Sequence, residues 1–207
     1  MNTEGLRQVR AMGDRGLLVE AGPNAVALAE AVRRQHIAGV IEAIPAATTV
    51  LVRHDSTVDR NALTRLLTTL EPVETDQVQH SIVVIEVHYD GADLSDVAEL
   101  TALSIDEVIA RHSAPTYEVA FCGFAPGFAY LRGLDPALAV PRLSTPRTRV
   151  PARSVAIADS WSAVYPRESP GGWSLIGRTE VALFDVLRAE PALLTPGTRV
   201  QFRQVSR

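Results

Sequence analysis

Five arginines, Arg132, Arg142, Arg147, Arg149 and Arg153, stand between Gly123 and Ala158 against one acid, Asp135, in a chain whose formal net charge is −4. Three of them fall in Pro141-Arg-Leu-Ser-Thr-Pro-Arg-Thr-Arg149. Prolines such as Pro146 stiffen that loop and reduce the entropy lost when a ligand orders it. Guanidinium groups held this way suit a carboxylate or phosphate, which they grip through two parallel hydrogen bonds. The competing assignment is solvated loop charge, or partners for the acidic segment just before them. Beside the arginines, Phe124-Ala-Pro-Gly-Phe-Ala-Tyr130 gathers three aromatics around a Pro126-Gly127 pair. Such a pair sets a tight turn with glycine at positive φ, either presenting Phe128 and Tyr130 to a pocket or plugging the end of a barrel. Ser169-Pro170-Gly171-Gly172-Trp173 is similar, a flexible turn that ends on one of only two tryptophans.

Other chemistries lack their residues. All 20 basic residues are arginine, so the chain has no lysine for a Walker phosphate loop, a Schiff base or a biotin attachment. Cys122 is the single cysteine, which excludes an internal disulfide, and its apolar surroundings read as a buried thiol rather than a nucleophile. His36, His54, His80, His88 and His112 show no ligand spacing, so no metal site is expected. There is no Gly-x-Ser-x-Gly elbow and no dinucleotide fingerprint.

The elements that must position these residues fall into two halves. Over residues 1–85, strands at Gly16–Gly22, Val40–Pro45, Thr48–Arg53 and Ser81–His88 alternate with helices at Ala25–Gln35, capped by Asn24, and around Leu63, Leu66, Leu67 and Leu70. The order β, α, β, β, α, β predicts a small ferredoxin-like α/β domain. Residues 86–207 form the second domain, with a two-helix insertion at 93–113 and Ser104 as the cap between its helices. Eight acids against Arg111 between Ser81 and Cys122 argue against nucleic acid on that helix pair. Nine of the 13 prolines lie between Pro126 and Pro196. The short apolar stretches among them, at Tyr117–Phe121, Ser154–Ala158, Glu180–Phe184 and Arg199–Val205, predict a closed or nearly closed β-barrel. No apolar run reaches the roughly 18 residues of a membrane span, and the N-terminus lacks a signal-peptide pattern. A cytoplasmic α+β protein is expected.

The runs YEVAFCGFAPGFAYLRGL (117–134), PRLSTPRTRVPARSVAIA (141–158) and VYPRESPGGWSLIGRT (164–179) resemble the allophanate hydrolase subunit 1 family, also labelled carboxyltransferase domain, subdomain C and D. That family includes the B-type subunit of bacterial 5-oxoprolinase and the Kip-type inhibitor of a sporulation histidine kinase. The resemblance implies a cyclophilin-like barrel and an enzyme subunit inactive alone. Its partners would be a C-type subunit, similar to allophanate hydrolase subunit 2, and an A-type subunit, in a complex that uses ATP to open 5-oxoproline to glutamate. ATP is then bound by a partner or at a site of another type, and the small carboxylate substrate is held by arginines such as Arg142 or Arg147. Tyr165 and Arg178 lie within the matched runs and join the candidate contacts to substrate or partner. The alternatives are a Kip-type kinase inhibitor and a urea-directed carboxyltransferase or allophanate-related component.

Two places depart from the pattern. Where relatives read Ala-Gly-Gly-Gln-Thr-Gly-Ile-Tyr-Pro, this chain has Ala158-Asp159-Ser160-Trp161-Ser162-Ala163-Val164-Tyr165-Pro166, and Arg153 replaces the glycine after Pro-Ala. Trp161 is expected to fill the space beside Trp173 that relatives leave for glutamine and ligand.

Overall fold

A computed structural model of the chain describes residues 6–73 and 82–205. The chain divides into two compact units, Met1–Gln79 and His80–Arg207. His80 and the start of the predicted strand at Ser81 lie outside the described residues.

In the first unit, strands β1 (Val9–Ala11), β2 (Gly16–Glu20), β3 (Val40–Pro45) and β4 (Thr49–His54) form an antiparallel sheet in the order β1-β2-β4-β3. Helices α1 (Ala25–Arg34) and α2 (Arg60–Thr69) place Leu28, Ala29, Val32, Leu63 and Leu67 against Leu17, Val19, Val50 and Val52 of the sheet. Alternation along β2 and β4 turns those strand residues to one face. Asp59 caps α2, its Oδ1 accepting from the Asn61 and Ala62 amides at 2.9 and 3.1 Å. Asn24 occupies the N-cap position of α1, but its side chain makes no capping bond.

The expected ferredoxin-like order is not what forms. The strand read at Ser81–His88 appears as β5 (Val83–Val87), and it belongs to the second unit, where it pairs in parallel with the last strand, β13 (Arg199–Gln204). Residues 83–85 therefore leave the N-terminal domain to which the pattern assigned them. Local periodicity identifies a strand without naming its sheet, and this partner lies more than a hundred residues downstream. The edge strand β1 completes the first sheet instead. It is too short, and too exposed, to carry a period.

The second unit continues with helices α3 (Leu94–Thr101) and α4 (Ile105–Ser113) and strands β6 (Thr116–Cys122), β7 (Ala129–Arg132), β8 (Arg147–Val150), β9 (Ser154–Ala158), β10 (Trp161–Val164), β11 (Ser169–Gly171) and β12 (Ser174–Arg178). Seven strands make one sheet in the order β12-β9-β10-β7-β6-β13-β5, and β8 pairs with β11 separately. The sheet closes along a seam where residues 88–93 run beside β12. His88 and Arg178 exchange backbone hydrogen bonds at 2.9 Å each, and the Gly91 and Asp93 amides donate to Ile176 and Leu175 at 3.3 and 2.9 Å. Backbones meet so closely there that a Cβ on Gly91 would collide with the Leu175 carbonyl oxygen, and one on Gly177 with that of His88. Glycine is required at both. Glu180–Phe184, expected as a strand, is irregular apart from a bridge between Phe184 and Ala192. The Val181 amide bonds to Thr179 Oγ1 rather than to a strand.

Ile85, Val87, Val119, Leu131, Val155, Ile157, Ile176, Val200 and Phe202 fill the interior, joined by Val97 of α3 and Val108 of α4. Ser104 and Glu107 form a reciprocal capping box at the start of α4. One polar chain crosses this apolar core. Tyr89 Oη lies 2.8 Å from His112 Nδ1, His112 Nε2 lies 2.9 Å from Ser162 Oγ, and Ser162 Oγ donates to the Ala156 carbonyl at 3.4 Å. The bonds are mutually satisfied when Tyr89 donates to Nδ1 and Nε2–H donates to Ser162. Burial holds the His112 imidazole neutral by lowering its pKa from 6.5 to about 3.

This imidazole makes stability depend on pH. The unfolded chain takes up the proton first as pH falls, so the contribution of neutral His112 is complete above pH 6.5 and is lost between there and about 3. Its slope within that window is about 1.4 kcal/mol per pH unit. Urea midpoints measured from pH 7.5 to 4 should fall more steeply for the wild type than for His112→Gln.

Candidate functional site

Strands β9 and β10 are buried on both faces. Val155, Ile157, Ser162 and Val164 point into the barrel, whereas Ala156, Ala158 and Ala163 form a floor on its outer side. Alanine leaves room for a layer of rings, and Phe128, Tyr165 and Trp173 occupy it. Phe128 meets Tyr165 and Trp173 edge to face at 5.3 and 5.8 Å, the geometry that the ring quadrupole favours. Ring contacts to Phe121, Phe124, Tyr130 and Trp161 extend the layer.

The Pro126-Gly127 turn forms as the sequence suggests, with Gly127 at φ +81° and the Phe128 amide donating to the Ala125 carbonyl at 2.9 Å. Phe128 is buried in the outer layer, and the exposed ring of the loop is Phe124. The two indoles are not in ring contact. Tyr130 stands between them, edge to face with Trp161 at 6.1 Å and with Trp173 at 5.6 Å, while Phe121 stacks on it at 4.2 Å. Trp161 therefore packs against Tyr130 and Phe121, and the space beside Trp173 belongs to Tyr130.

Ser169, Pro170 and Gly171 lie on β11, paired with β8, which carries Arg147 and Arg149. Tyr165 crosses Gly171 so closely that a Cβ there would collide with its hydroxyl. Burial raises the Tyr165 pKa, partly opposed by a hydrogen bond from the Trp173 amide. Gly172 accepts from the Leu143 amide at 2.7 Å, and Pro146 packs against it. This holds the 141–146 loop over the aromatic layer and sets the Arg142 guanidinium 6.0 Å from the centre of the Trp173 ring, within cation–π range.

Each of the five arginines has an acidic partner. Arg132 meets Glu118 at 2.7 Å, Arg149 meets Glu168 at 2.6 Å, and Arg153 meets Glu180 at 3.0 Å. Arg178 joins Glu180 and also Asp90, near the seam. These pairs are solvated. Arg147 Nη2 donates to Asp93 Oδ1, and the other carboxylate oxygen accepts from the Leu175 amide at 2.7 Å. The Asp93 side chain is only 5% exposed; the sequence gives no sign of this role, because Asp93 reads as an ordinary helix start. Among the described residues, Arg147 Nη1 and Ser169 Oγ are buried with no hydrogen-bond partner. Arg142 is the loosest of the set, 3.9 Å from Asp159 with both side chains about 60% exposed. Its hydrogen-bonding capacity remains open to an anion at the edge of the layer.

Cys122 donates to the Leu194 carbonyl at 3.5 Å, and burial pushes its thiol pKa up, opposite to what a nucleophile needs. Among the described residues no three His, Cys, Asp or Glu side chains stand together to hold a metal ion.

The departures from the family pattern have a backbone meaning. Arg153 and Asp159, both at glycine positions of that pattern, adopt φ +67° and +51°. Asp159 and Ser160 form the two-residue turn between β9 and β10, and aspartate tolerates this conformation better than arginine does. The Arg153 amide donates to the Tyr165 carbonyl at 2.6 Å, and its carbonyl accepts from Thr179 at 3.0 Å, so the surroundings impose the strain. Arg153→Gly should stabilise the protein by about 0.5–1 kcal/mol, relief of strain exceeding the lost surface pair, and Asp159→Gly by less. Asp93→Asn should destabilise it by about 2–3 kcal/mol, leaving Arg147 without its counter-charge. Urea unfolding measures all three.

The model of the carboxyltransferase domain, subdomain C and D, matches residues 7–194. A protein of Escherichia coli O157:H7, named as the B subunit of 5-oxoprolinase, is 43% identical over 168 residues, spanning 79% of this chain and 77% of its own. One of the same name in Bacillus subtilis (strain 168) is 37% identical, spanning 96% and 93%. The crystal structure of TTHA0988 superposes with a TM-score of 0.82 at 39% identity, over 97% of this chain but only 41% of that longer one. The urea carboxylase of Kluyveromyces lactis shares the fold alone, with a TM-score of 0.72 at 20% identity over 97% of this chain and 22% of its own. The chain belongs to the carboxyltransferase domain, subdomain C and D family.

Proposed function

We propose that the chain is the B-type subunit of an ATP-dependent 5-oxoprolinase, with a cyclophilin-like barrel that shares its active site with a second such subunit of C type. Support comes first from the relatives that carry the name of the 5-oxoprolinase B subunit. The observation in the molecule that carries the reading is Arg142. It is a weakly committed guanidinium beside the Trp173 ring at the edge of a buried aromatic layer. A lactam acid offers a carboxylate to the guanidinium and an apolar ring edge to the aromatics.

The roles this chain can take are binding, orientation and exclusion of water. Arg142 would hold the carboxylate after releasing Asp159, and the aromatic layer would keep solvent from the bound ring. ATP supplies the activation that a stable amide requires. With no lysine in the chain, its residues do not fit a Walker-type cradle, so the nucleotide would be held by a partner or at a site of another type. No helix among the described residues is long and apolar enough to cross a membrane, in keeping with a cytoplasmic complex.

Reconstitution with A-type and C-type subunits from the same organism should release glutamate from 5-oxoproline only with ATP and only with this chain present. Arg142→Ala should raise KM by about tenfold or more, the worth of a charge-assisted hydrogen bond. Arg147→Ala should also lower activity, but with a loss of stability from unpairing Asp93. Full activity of the partners without this chain would refute the assignment.

A further inference from the structure

Two buried donors in the second unit have nothing to bond. Among the described residues, Arg147 Nη1 and Ser169 Oγ are closed off from solvent and make no hydrogen bond. Burying a polar group in this state costs stability, more so on a charged side chain. A fold keeps such groups where a bound atom completes them. The Arg147 side chain is 30% exposed overall, so its free donor lies just beneath the surface.

Both donors share one face of the β8–β11 pair. Ser169 is opposite Val150 and Gly171 is opposite Arg147, with a bulge between the two positions. Residues directly opposite in an antiparallel pair turn their side chains to the same face. Val150 packs in the aromatic layer, so Ser169 faces that layer. A Cβ on Gly171 would run into the Tyr165 hydroxyl, so Arg147 faces it too. Residues 147 and 150 would point to opposite sides of a regular strand; the bulge adds the residue that brings Arg147 round.

Asp93 fixes which guanidinium nitrogen stays free. Its Oδ1 accepts from Nη2, and its Oδ2 is held by the Leu175 amide at 2.7 Å. The carboxylate cannot turn to cover Nη1 without releasing that amide. It also offsets the charge of Arg147, so the free donor suits a neutral acceptor better than a second anion. Arg142 differs, because its pairing with Asp159 is loose and solvated. The Tyr165 pKa, raised by burial, is drawn down by both guanidiniums, which places Arg142 and Arg147 about one ring.

We infer that Arg147 Nη1 and Ser169 Oγ hold the carbonyl oxygen of the lactam substrate. The inference rests on the 5-oxoprolinase reading above, in which Arg142 holds the carboxylate. A carbonyl oxygen has two lone pairs and accepts from both donors. 5-Oxoproline carries its carboxylate and its carbonyl on the two carbons that flank the ring nitrogen, so it needs one donor site for an anion and one for a neutral oxygen.

The test compares 5-oxoproline with cyclopentanecarboxylate in the reconstituted complex. The second compound keeps a ring and a carboxylate but lacks the lactam oxygen. Ser169→Ala should lower kcat/KM for 5-oxoproline by about tenfold, and Arg147→Lys, which keeps a cation beside Asp93, by about tenfold or more. Neither should change the inhibition constant of cyclopentanecarboxylate by more than about twofold, whereas Arg142→Ala should raise it as much as it raises KM. Ser169→Ala should leave the urea midpoint unchanged or higher, since it removes a buried hydroxyl with no partner; a packing role predicts the opposite. Wild-type kcat/KM in Ser169→Ala and Arg147→Lys would give the two donors to an ordered water and overturn the subsite, leaving the subunit assignment standing. Inhibition by cyclopentanecarboxylate that weakens in step with kcat/KM would overturn it in the same way. Failure of the wild-type complex to release glutamate with ATP would overturn both.

Discussion

The buried carboxylate of Asp93 holds the second unit together at the point where it would otherwise open. A seven-stranded sheet closes only if its edges find each other, and here one edge is an irregular segment rather than a strand. Asp93 finishes that segment, its amide bonded to Leu175 and its side chain turned away from the cap position of α3. One oxygen accepts the Leu175 amide, and the other takes Arg147 from β8. A single side chain therefore joins the seam, the start of a helix and the loop sheet that borders the aromatic layer. A carboxylate this buried is tolerable only because both oxygens are satisfied, so the position of Arg147 follows from the closure of the barrel.

From that closure the candidate site follows in layers. The outer faces of β9 and β10 carry alanines, which gives the barrel a second apolar surface, covered by rings and by Val150 of β8. The Tyr165 ring on that surface lies against Gly171, and the neighbouring Gly172 holds the 141–146 loop. Arg142 ends this series beside Trp173.

Much of this is legible in the sequence. Tyr117–Phe121, Ser154–Ala158 and Arg199–Val205 read as barrel strands and correspond to β6, β9 and β13, because proline and glycine mark their ends. The Pro126-Gly127 turn and the Ser104 cap are equally local and equally clear. What cannot be read depends on distance along the chain. Val83–Val87 has the composition of a strand in either unit, and only its pairing with β13 decides between them. Asp93 looks like a helix start until Leu175 and Arg147 arrive from more than fifty residues away. His112 and Ser162 are likewise fifty residues apart, and no spacing rule announces their contact. The arginine excess is real, but its partners come from across the fold, which leaves Arg142 as the member of the set with the most loosely held charge.

The parallel pairing of β5 with β13 has a consequence for how the protein is made. The first strand of the second unit leaves the ribosome more than a hundred residues before the strand that lies beside it. Until β13 emerges, β5 and β6 both lack a neighbour, and the barrel cannot enclose its core. The folding of this unit is thus weighted towards the end of synthesis, as expected for non-local pairing. Helices α3 and α4, made early and stabilised by their own capping box, are the part of the unit that can form while the nascent chain waits.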